Sequence, residues 1–265
     1  FKDQTIVVTG GGSGIGRATA HELASLGAHV VIMGRKQEKL DAVLAEIAAD
    51  GGHASSYSLD IRDEDAVKKT VKAVVAERGV IHGLVNNAGG QFPSPVQFIS
   101  KNGFEKVVQS NLVGGFLMAR EVMLASMQKN GGTIVNIVAD MFGGMPGMAH
   151  SGAARAGMAN LTETMAIEWA QFRIRVNSLA SGYVASSGLD TYDPDFVKEF
   201  IPRIAVALPA QRLATEAECA SGISFLLSPG AAYITGTCMI VDGGGALNTK
   251  LYPLVKQDKW PEYNG

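Results

Sequence analysis

Thr9-Gly10-Gly11-Gly12-Ser13-Gly14-Ile15-Gly16 stands directly after the apolar run Thr5-Ile6-Val7-Val8 and before a helical pattern over residues 17–26. A strand, a glycine turn and a helix in that order let the backbone approach a pyrophosphate. The open N–H groups and the dipole of the helix favour the negative charge. Glycines alone carry little weight, and the placement is what makes the stretch informative. The next apolar run, residues 29–33, arrives on schedule for a βαβ unit, so the reading is a dinucleotide cradle.

Outward from this unit, strand patterns recur at residues 54–58, 83–86, 133–138, 175–179 and 238–241. Amphipathic helical stretches at 36–49, 63–77, 104–129 and 152–169 separate them. Strands that read as continuous apolar runs are covered on both faces. The expected fold is α/β, a single doubly wound Rossmann domain over residues 1–265 with about seven parallel strands and helices on both faces. Residues 183–213, with Pro194, Pro202 and Pro209, read as an irregular substrate-binding lid, and residues 246–265 as a C-terminal tail. The helical stretches 104–129 and 152–169 carry Phe116, Leu117, Met118, Val122, Met158, Leu161 and Met165, beyond what one face buries. A homo-oligomer, a tetramer, is expected on that ground.

A chain of 265 residues with 46% hydrophobic content builds a large core. Its net charge of −2 and lack of a basic run remove the electrostatic footprint of a nucleic-acid binder. Cys219 and Cys238 form neither a metal-ligand spacing nor a disulfide framework, so no metal is expected. There is no apolar stretch of bilayer length and no charged leader before an apolar core. A cytoplasmic protein without membrane or nucleic-acid partners is the expectation.

After the second strand comes Gly34-Arg35-Lys36. An NAD site generally has an acid here, about 20 residues past the glycine loop, to hold the ribose hydroxyls. A guanidinium instead binds a 2′-phosphate through a fork of charged hydrogen bonds, which points to NADP(H).

The glycine loop, Asn86-Asn87-Ala88-Gly89, Asn111 in a long helix, and Val241-Asp242-Gly243-Gly244 together resemble the short-chain dehydrogenase/reductases across essentially the whole chain. The resemblance implies cofactor contacts from Gly10, Ser13, Gly14, Ile15, Gly16 and Arg35. It places Asp60 and Ile61 at the adenine and Asn87, Ala88 and Gly89 along the ribose. Gly182 and Val184 would lie at the nicotinamide, although Ala180-Ser181-Gly182 departs from the family's Pro-Gly there. Asn87 also has a structural reading, as a brace of the central sheet.

The catalytic half departs further. The family's usual Tyr-x-x-x-Lys pair falls on Ser151 and Arg155, and its serine falls on Val138 or Ala139. Asn111 is retained. Residues four apart share a helix face, so Ser151 and Arg155 both look toward the cofactor. Reducing a ketone makes an alkoxide that needs a proton at once, and neither serine nor an always-charged arginine can relay it. Reducing a C=C bond conjugated to a thioester makes a less basic enolate, which needs donors aimed at its oxygen. Asn111 and Ser151 can donate, and Arg155 can hold the nicotinamide ribose. His150-Ser151-Gly152-Ala153-Ala154-Arg155-Ala156-Gly157, Ile134-Val135-Asn136-Ile137, Glu168-Trp169-Ala170 and Trp260-Pro261 resemble the peroxisomal trans-2-enoyl-CoA reductases. In the related 2,4-dienoyl-CoA reductases a loop residue takes the tyrosine's place, and its spacing lands on Asp140. This residue can donate a proton only if burial raises its pKa, and its plainer reading is a loop cap or a substrate-entry charge.

His150 lies one position off the Ser151/Arg155 face and reads as a supporting residue. Tyr183 either supplies a displaced phenol or packs its ring. Met141, Met145 and Met148 line an acyl pocket or fill the core. Three functions follow. One is an NADPH-dependent enoyl-thioester reductase taking a small acyl-thioester. The second is an alcohol or carbonyl dehydrogenase with a displaced acid, and the third a catalytically silent NADP-binding protein.

Overall fold

β-Branched and aliphatic side chains fill the strands, and they alternate between two buried faces. In the computed structural model, which describes residues 1–189, 193–247, 253–257 and 259–265, seven strands form one sheet. They are β1 (Thr5–Thr9), β2 (His29–Gly34), β3 (His53–Ser58), β4 (Gly83–Asn86), β5 (Gly132–Ala139), β6 (Ile174–Ser181) and β7 (Cys238–Val241). The order is β3-β2-β1-β4-β5-β6-β7, and every pairing is parallel. The order reverses between β1 and β4, and a crevice opens at such a switch point beyond the carboxyl ends of the strands.

On one face Ile6, Val8, Val30, Ile32 and Val135 meet α1 (Gly14–Ser25), α2 (Gln37–Ala49) and, late in the chain, α9 (Glu216–Leu227). On the other, Val7, Val31, Leu84, Ile134 and Val176 meet α3 (Glu64–Arg78) and the long α4–α6 rod. That rod runs α4 (Lys101–Val108), a π turn (Gln109–Val113), α5 (Gly114–Val122), a second π turn (Met123–Met127) and α6 (Gln128–Asn130). Each fully buried Val, Leu or Ile contributes roughly 1.5–3 kcal/mol relative to exposure. A polar chain crosses this core: Asn86 donates to Gly115 O and to Asn136 Oδ1, Asn136 donates to Thr162 Oγ1, and Thr162 donates to Met158 O. It locks β4 and β5 to α5 and to α7 (Ala149–Trp169).

One expectation is corrected. Residues 183–213 are not irregular throughout: α8 (Pro194–Ala207) lies within them. Pro194 suits a first helical position, and Ile204 and, just past the helix, Leu208 are buried at i, i+4 spacing, which the prolines obscure in a linear reading. Residues 190–192 of the expected lid, and 248–252 and 258 of the tail, lie outside the described residues. The tail is not a loose end either. Gln211 donates to Val255 O, Arg212 to Pro261 O and Thr215 Oγ1 to Tyr263 O, which straps the tail to the segment between α8 and α9. Among the described residues, no helix is long and apolar enough to cross a membrane.

Candidate active site

The cradle is built by close backbone approach. Gly10 and Gly14 have φ of +68° and +60°, a conformation costly for any residue with a Cβ. A Cβ on Gly16 would lie 2.3 Å from Gly10 O and 2.5 Å from Asn87 Nδ2, so only glycine lets α1 sit this near β1. Ser13, the N-cap of α1, makes no side-chain cap bond, and the first turn carries no acid. The helix end is thus left to bind an anion through its own N–H groups. Asn87 Nδ2 donates to Thr9 O and Gly10 O, so the residue braces the glycine loop. Thr9 Oγ1 accepts from Asn87 N and Ala88 N, tying the turn after β4 to the end of β1.

Arg35 is exposed just past β2. Asp60, across from it, is ion-paired to Arg62, whose guanidinium holds the Asp60 carboxyl below its ordinary value. Ile61 is buried against Gly114, where a Cβ would fall 2.6 Å from its Cδ1. Gly182 N donates to Val241 O, and Val184 pairs with Ala214, so the segment leaving β6 runs along the crevice beside the Asp242 turn. A cradle that a Cβ would fill, a helix N-terminus without its own cap and a cation past β2 fit a nicotinamide dinucleotide.

The catalytic positions converge on one loop. Asn111, buried in the π turn, accepts from Gly90 N at 2.8 Å and donates to Gly90 O at 3.0 Å. Ser151, wholly buried, donates its hydroxyl to Gln91 Oε1 at 2.6 Å. Gly89 is so tightly enclosed that a Cβ there would lie 2.5 Å from Asn111 Oδ1 and 2.8 Å from an Arg155 terminal nitrogen. Three side chains from two helices thus grip the consecutive residues 89, 90 and 91. π turns recur at functional sites, and the extra residue here swings Asn111 onto the loop.

Arg155 donates to Ile137 O, while its Nε is buried without a hydrogen-bond partner. No carboxylate among the described residues pairs with it. Burial pulls its pKa down to about 10, which leaves it charged at neutral pH. Such a cation is costly unless something anionic or polar completes the site. Val138 is buried against Met158 and Ala180 and offers no donor. Asp140, just beyond β5, has its carboxyl pushed up by burial and by the nearby Asp242 charge, against the pull of the Phe142 backbone N–H.

His150 is fully buried. Its Nδ1 accepts from Ser151 N at 2.8 Å, its Nε2 has no partner, and its ring stands edge-on to Phe92 at 4.4 Å. Tyr183 is half-exposed, and its ring stands edge-on to that of Phe200. Met141 packs with Val138 and Met158, and Met145 lies against Gly152. Gln91 was not legible as a site residue. Its one sequence signal was a polar amide directly after the glycines of the β4 motif, and a loop pattern gives no hint of its helical partner.

Comparison with known proteins agrees with this geometry. Residues 10–246 match the family described as enoyl-(acyl carrier protein) reductase. A peroxisomal 2,4-dienoyl-CoA reductase of Mus musculus is 34% identical, over 92% of this chain and 84% of its own length. A 3-oxoacyl-[acyl-carrier-protein] reductase of Synechocystis is 36% identical, over 91% of this chain and 96% of its own. A solved citronellol catabolism dehydrogenase of Pseudomonas aeruginosa PAO1 is 54% identical, covering 93% of this chain and 96% of its own, with a TM-score of 0.84. With the strand order, the braced glycine cradle and the Asn111 turn, these likenesses make the chain an oxidoreductase of the short-chain dehydrogenase/reductase family.

Proposed function

We propose that the protein reduces the C=C bond of a trans-2-enoyl thioester with NADPH. One observation carries the reading: the helix positions of the family's phenol and ammonium hold a buried Ser151 and a half-buried Arg155 whose Nε has no hydrogen-bond partner. When bound, the reduced nicotinamide supplies a hydride to the β-carbon, and the π electrons move onto the thioester oxygen as an enolate. Arg155 keeps the field around that oxygen positive, and Asn111 holds the loop beside it. Asp140, its carboxyl raised by burial, is the candidate proton donor to the α-carbon, with water as the other source. Arg35 and Lys36 support NADP(H) over NAD(H), since both are exposed cations where an acid would grip free ribose hydroxyls. The names of the dienoyl-CoA reductase relatives accord with acyl thioesters.

A second reading has its own support. The 54%-identical relative is named for citronellol catabolism, which favours a dehydrogenase acting on a branched, terpenoid-like alcohol or aldehyde. NADPH oxidation with crotonyl-, hexenoyl- and decenoyl-CoA, run beside citronellal and matched ketones, separates the two. Turnover of the thioesters is the expected outcome. Brisk turnover of the aldehyde, with none of the thioesters, overturns it. The assembly we assign is a homotetramer in the cytoplasm. Exposed apolar side chains on the α4–α6 rod and α7 support the first part, and two unpaired cysteines the second.

A further inference from the structure

We infer that Gln211 and Gln257 are positioning residues of the site: their interlocked carboxamides make the C-terminal tail the outer support of residues 183–185, the segment along the crevice. This goes beyond the enoyl-thioester reading, since it concerns whichever substrate the crevice takes.

The clasp uses both ends of two carboxamides. Gln211 Nε2 donates to Val255 O at 2.7 Å, and Gln211 Oε1 accepts from Gln257 N at 2.9 Å. Bonding the C=O of one residue and the N–H two residues on is the pattern of a parallel strand neighbour, so this side chain stands in for a peptide unit. Gln257 returns the contact. Its Nε2 donates to Ala210 O at 2.9 Å, and its Oε1 accepts from Lys259 N at 3.0 Å.

The backbone of Gln211 is held in a conformation that its residue type rarely adopts. Its φ is +53°, in the left-handed region, where Gly, Asn and Asp are the usual occupants. Such a residue persists where its surroundings fix it. A turn alone would be served by glycine. Glutamine adds reach, with a carboxamide far enough from the backbone to straddle the tail.

Residues 210–215 lie between two partners. Toward the tail, Ala210, Gln211, Arg212 and Thr215 all bond to it. Toward the crevice, Ala214 N donates to Tyr183 O at 2.9 Å, and Ala214 O accepts from Ala185 N at 2.8 Å, the same two-bond pattern. Ala210 N also donates to Gly243 O, and a Cβ on Gly243 would lie 2.7 Å from Ala210 Cβ, so the stretch packs on the Asp242 turn. One layer of backbone therefore separates the tail from the crevice segment. Loosening the clasp moves that layer, and a misplacement of about 1 Å at a reacting site costs on the order of 10²-fold in rate.

The test uses the full chain with Gln211→Gly, Gln257→Ala and the double variant. Gln211→Gly is decisive, because glycine accepts this φ without cost: the turn survives and only the carboxamide is lost. Hydrogen exchange at the amides of Ala185 and Ala214 reads the coupling without any turnover. Both should exchange at least about tenfold faster in each variant, while the β1 amides stay within about twofold, which separates local loosening from lost global stability. With whichever of crotonyl-CoA and citronellal turns over, kcat/KM should fall about tenfold, with the NADPH dissociation constant within about threefold. The double variant should lose no more than the larger single loss, because the two amides act as one clasp.

Unchanged exchange at Ala185 and Ala214 in Gln211→Gly, or an increase matched by the β1 amides, overturns the inference. Multiplicative losses in the double variant do so as well. Failure of the enoyl reading shows itself separately, as absent thioester turnover by the unmutated protein, and the exchange measurement then decides the role of the tail.

Discussion

Gly34-Arg35-Lys36 ends β2 with two exposed cations and no acid, and the proposed preference for NADP(H) rests on that tripeptide. Arg35→Asp should reverse the preference from NADP(H) to NAD(H) by at least about tenfold, since hydrogen bonds to charged groups contribute about 1.5–3 kcal/mol. Dissociation constants for both cofactors in both proteins check it, and tighter NAD(H) binding by the unmutated chain would refute it. Deeper in the crevice, Asn111 and Arg155 should separate kinetically. Asn111→Ala removes both bonds to Gly90 and should lower turnover by about 10²-fold, the cost of a small misplacement of the loop, with little effect on cofactor affinity. Arg155→Ala should weaken NADPH binding together with turnover, because its guanidinium lies close to Gly89, a residue the family resemblance assigns to the ribose. Equal effects of the two variants on NADPH affinity would contradict that division. The types of these residues were legible in the sequence. The partners of Ser151 and Asn111 were not, since Gln91 lies 60 positions from Ser151 and Gly90 lies 21 from Asn111.

Among the elements, α9 shows how local chemistry and long-range contact combine. Thr215 and Glu218 form a reciprocal capping box, each side chain bonding the other's backbone N–H. Thr215 Oγ1 also donates to Tyr263 O, and Glu218 pairs with Arg212, which in turn donates to Pro261 O. The cap of one helix is thereby the anchor of the C-terminal tail. Thr215→Ala should cost about 1 kcal/mol as a lost cap and should release the tail from α9. Urea unfolding reads the first effect, and faster limited proteolysis near residue 263 reads the second; unchanged proteolysis would show that the tail is held without Thr215. The elements of the sheet were legible because their apolar runs are periodic and bounded. The helix α8 was not, because Pro202 within it reads as a breaker in a linear pattern, while burial of Ile204 and Leu208 keeps the helix in place.

At the scale of the whole molecule, burial sets a response to acid. His29 and His82 have pKa values held below the ordinary 6.5, chiefly by desolvation. Above that value both folded and unfolded chains carry neutral rings. Below it the unfolded chain takes up protons that the folded chain resists, so stability falls as pH drops from about 6.5 toward the depressed values. The ion-paired Glu46, Asp60 and Glu218 have lowered pKa values, so their loss follows in a more acidic window. Urea midpoints measured at about pH 7.5 and 5.5 should differ, and His82→Gln should shrink the difference. No change between the two pH values would contradict it. Association is the other property at this scale. Leu117, Met118, Val122, Met158 and Met165, expected at an interface, lie in the protomer's own core. Phe104, Phe116, Leu124 and Ile167 are the exposed apolar groups on those helices. A tetrameric mass is expected by light scattering at micromolar concentration, and Leu124→Glu with Ile167→Glu should lower it. A monomeric mass for the unmutated protein would refute the assignment.

Sequence alone determined the seven strands, the glycine cradle and the replacement of an acid-competent pair by Ser151 and Arg155. The strands and the cradle are written in neighbouring residues, through continuous apolar runs and steric demand on a single turn, and the replaced pair follows from the family resemblance. Only the tertiary structure decided which groups the catalytic side chains serve. The Ser151 hydrogen goes to Gln91, Asn111 closes on Gly90, and Arg155, half-buried, has no carboxylate partner among the described residues. Those pairings are set where a loop, a π turn and a helix from distant parts of the chain pack together. Hydrogen bonding there depends on distances of a few tenths of an ångström, which no local pattern encodes.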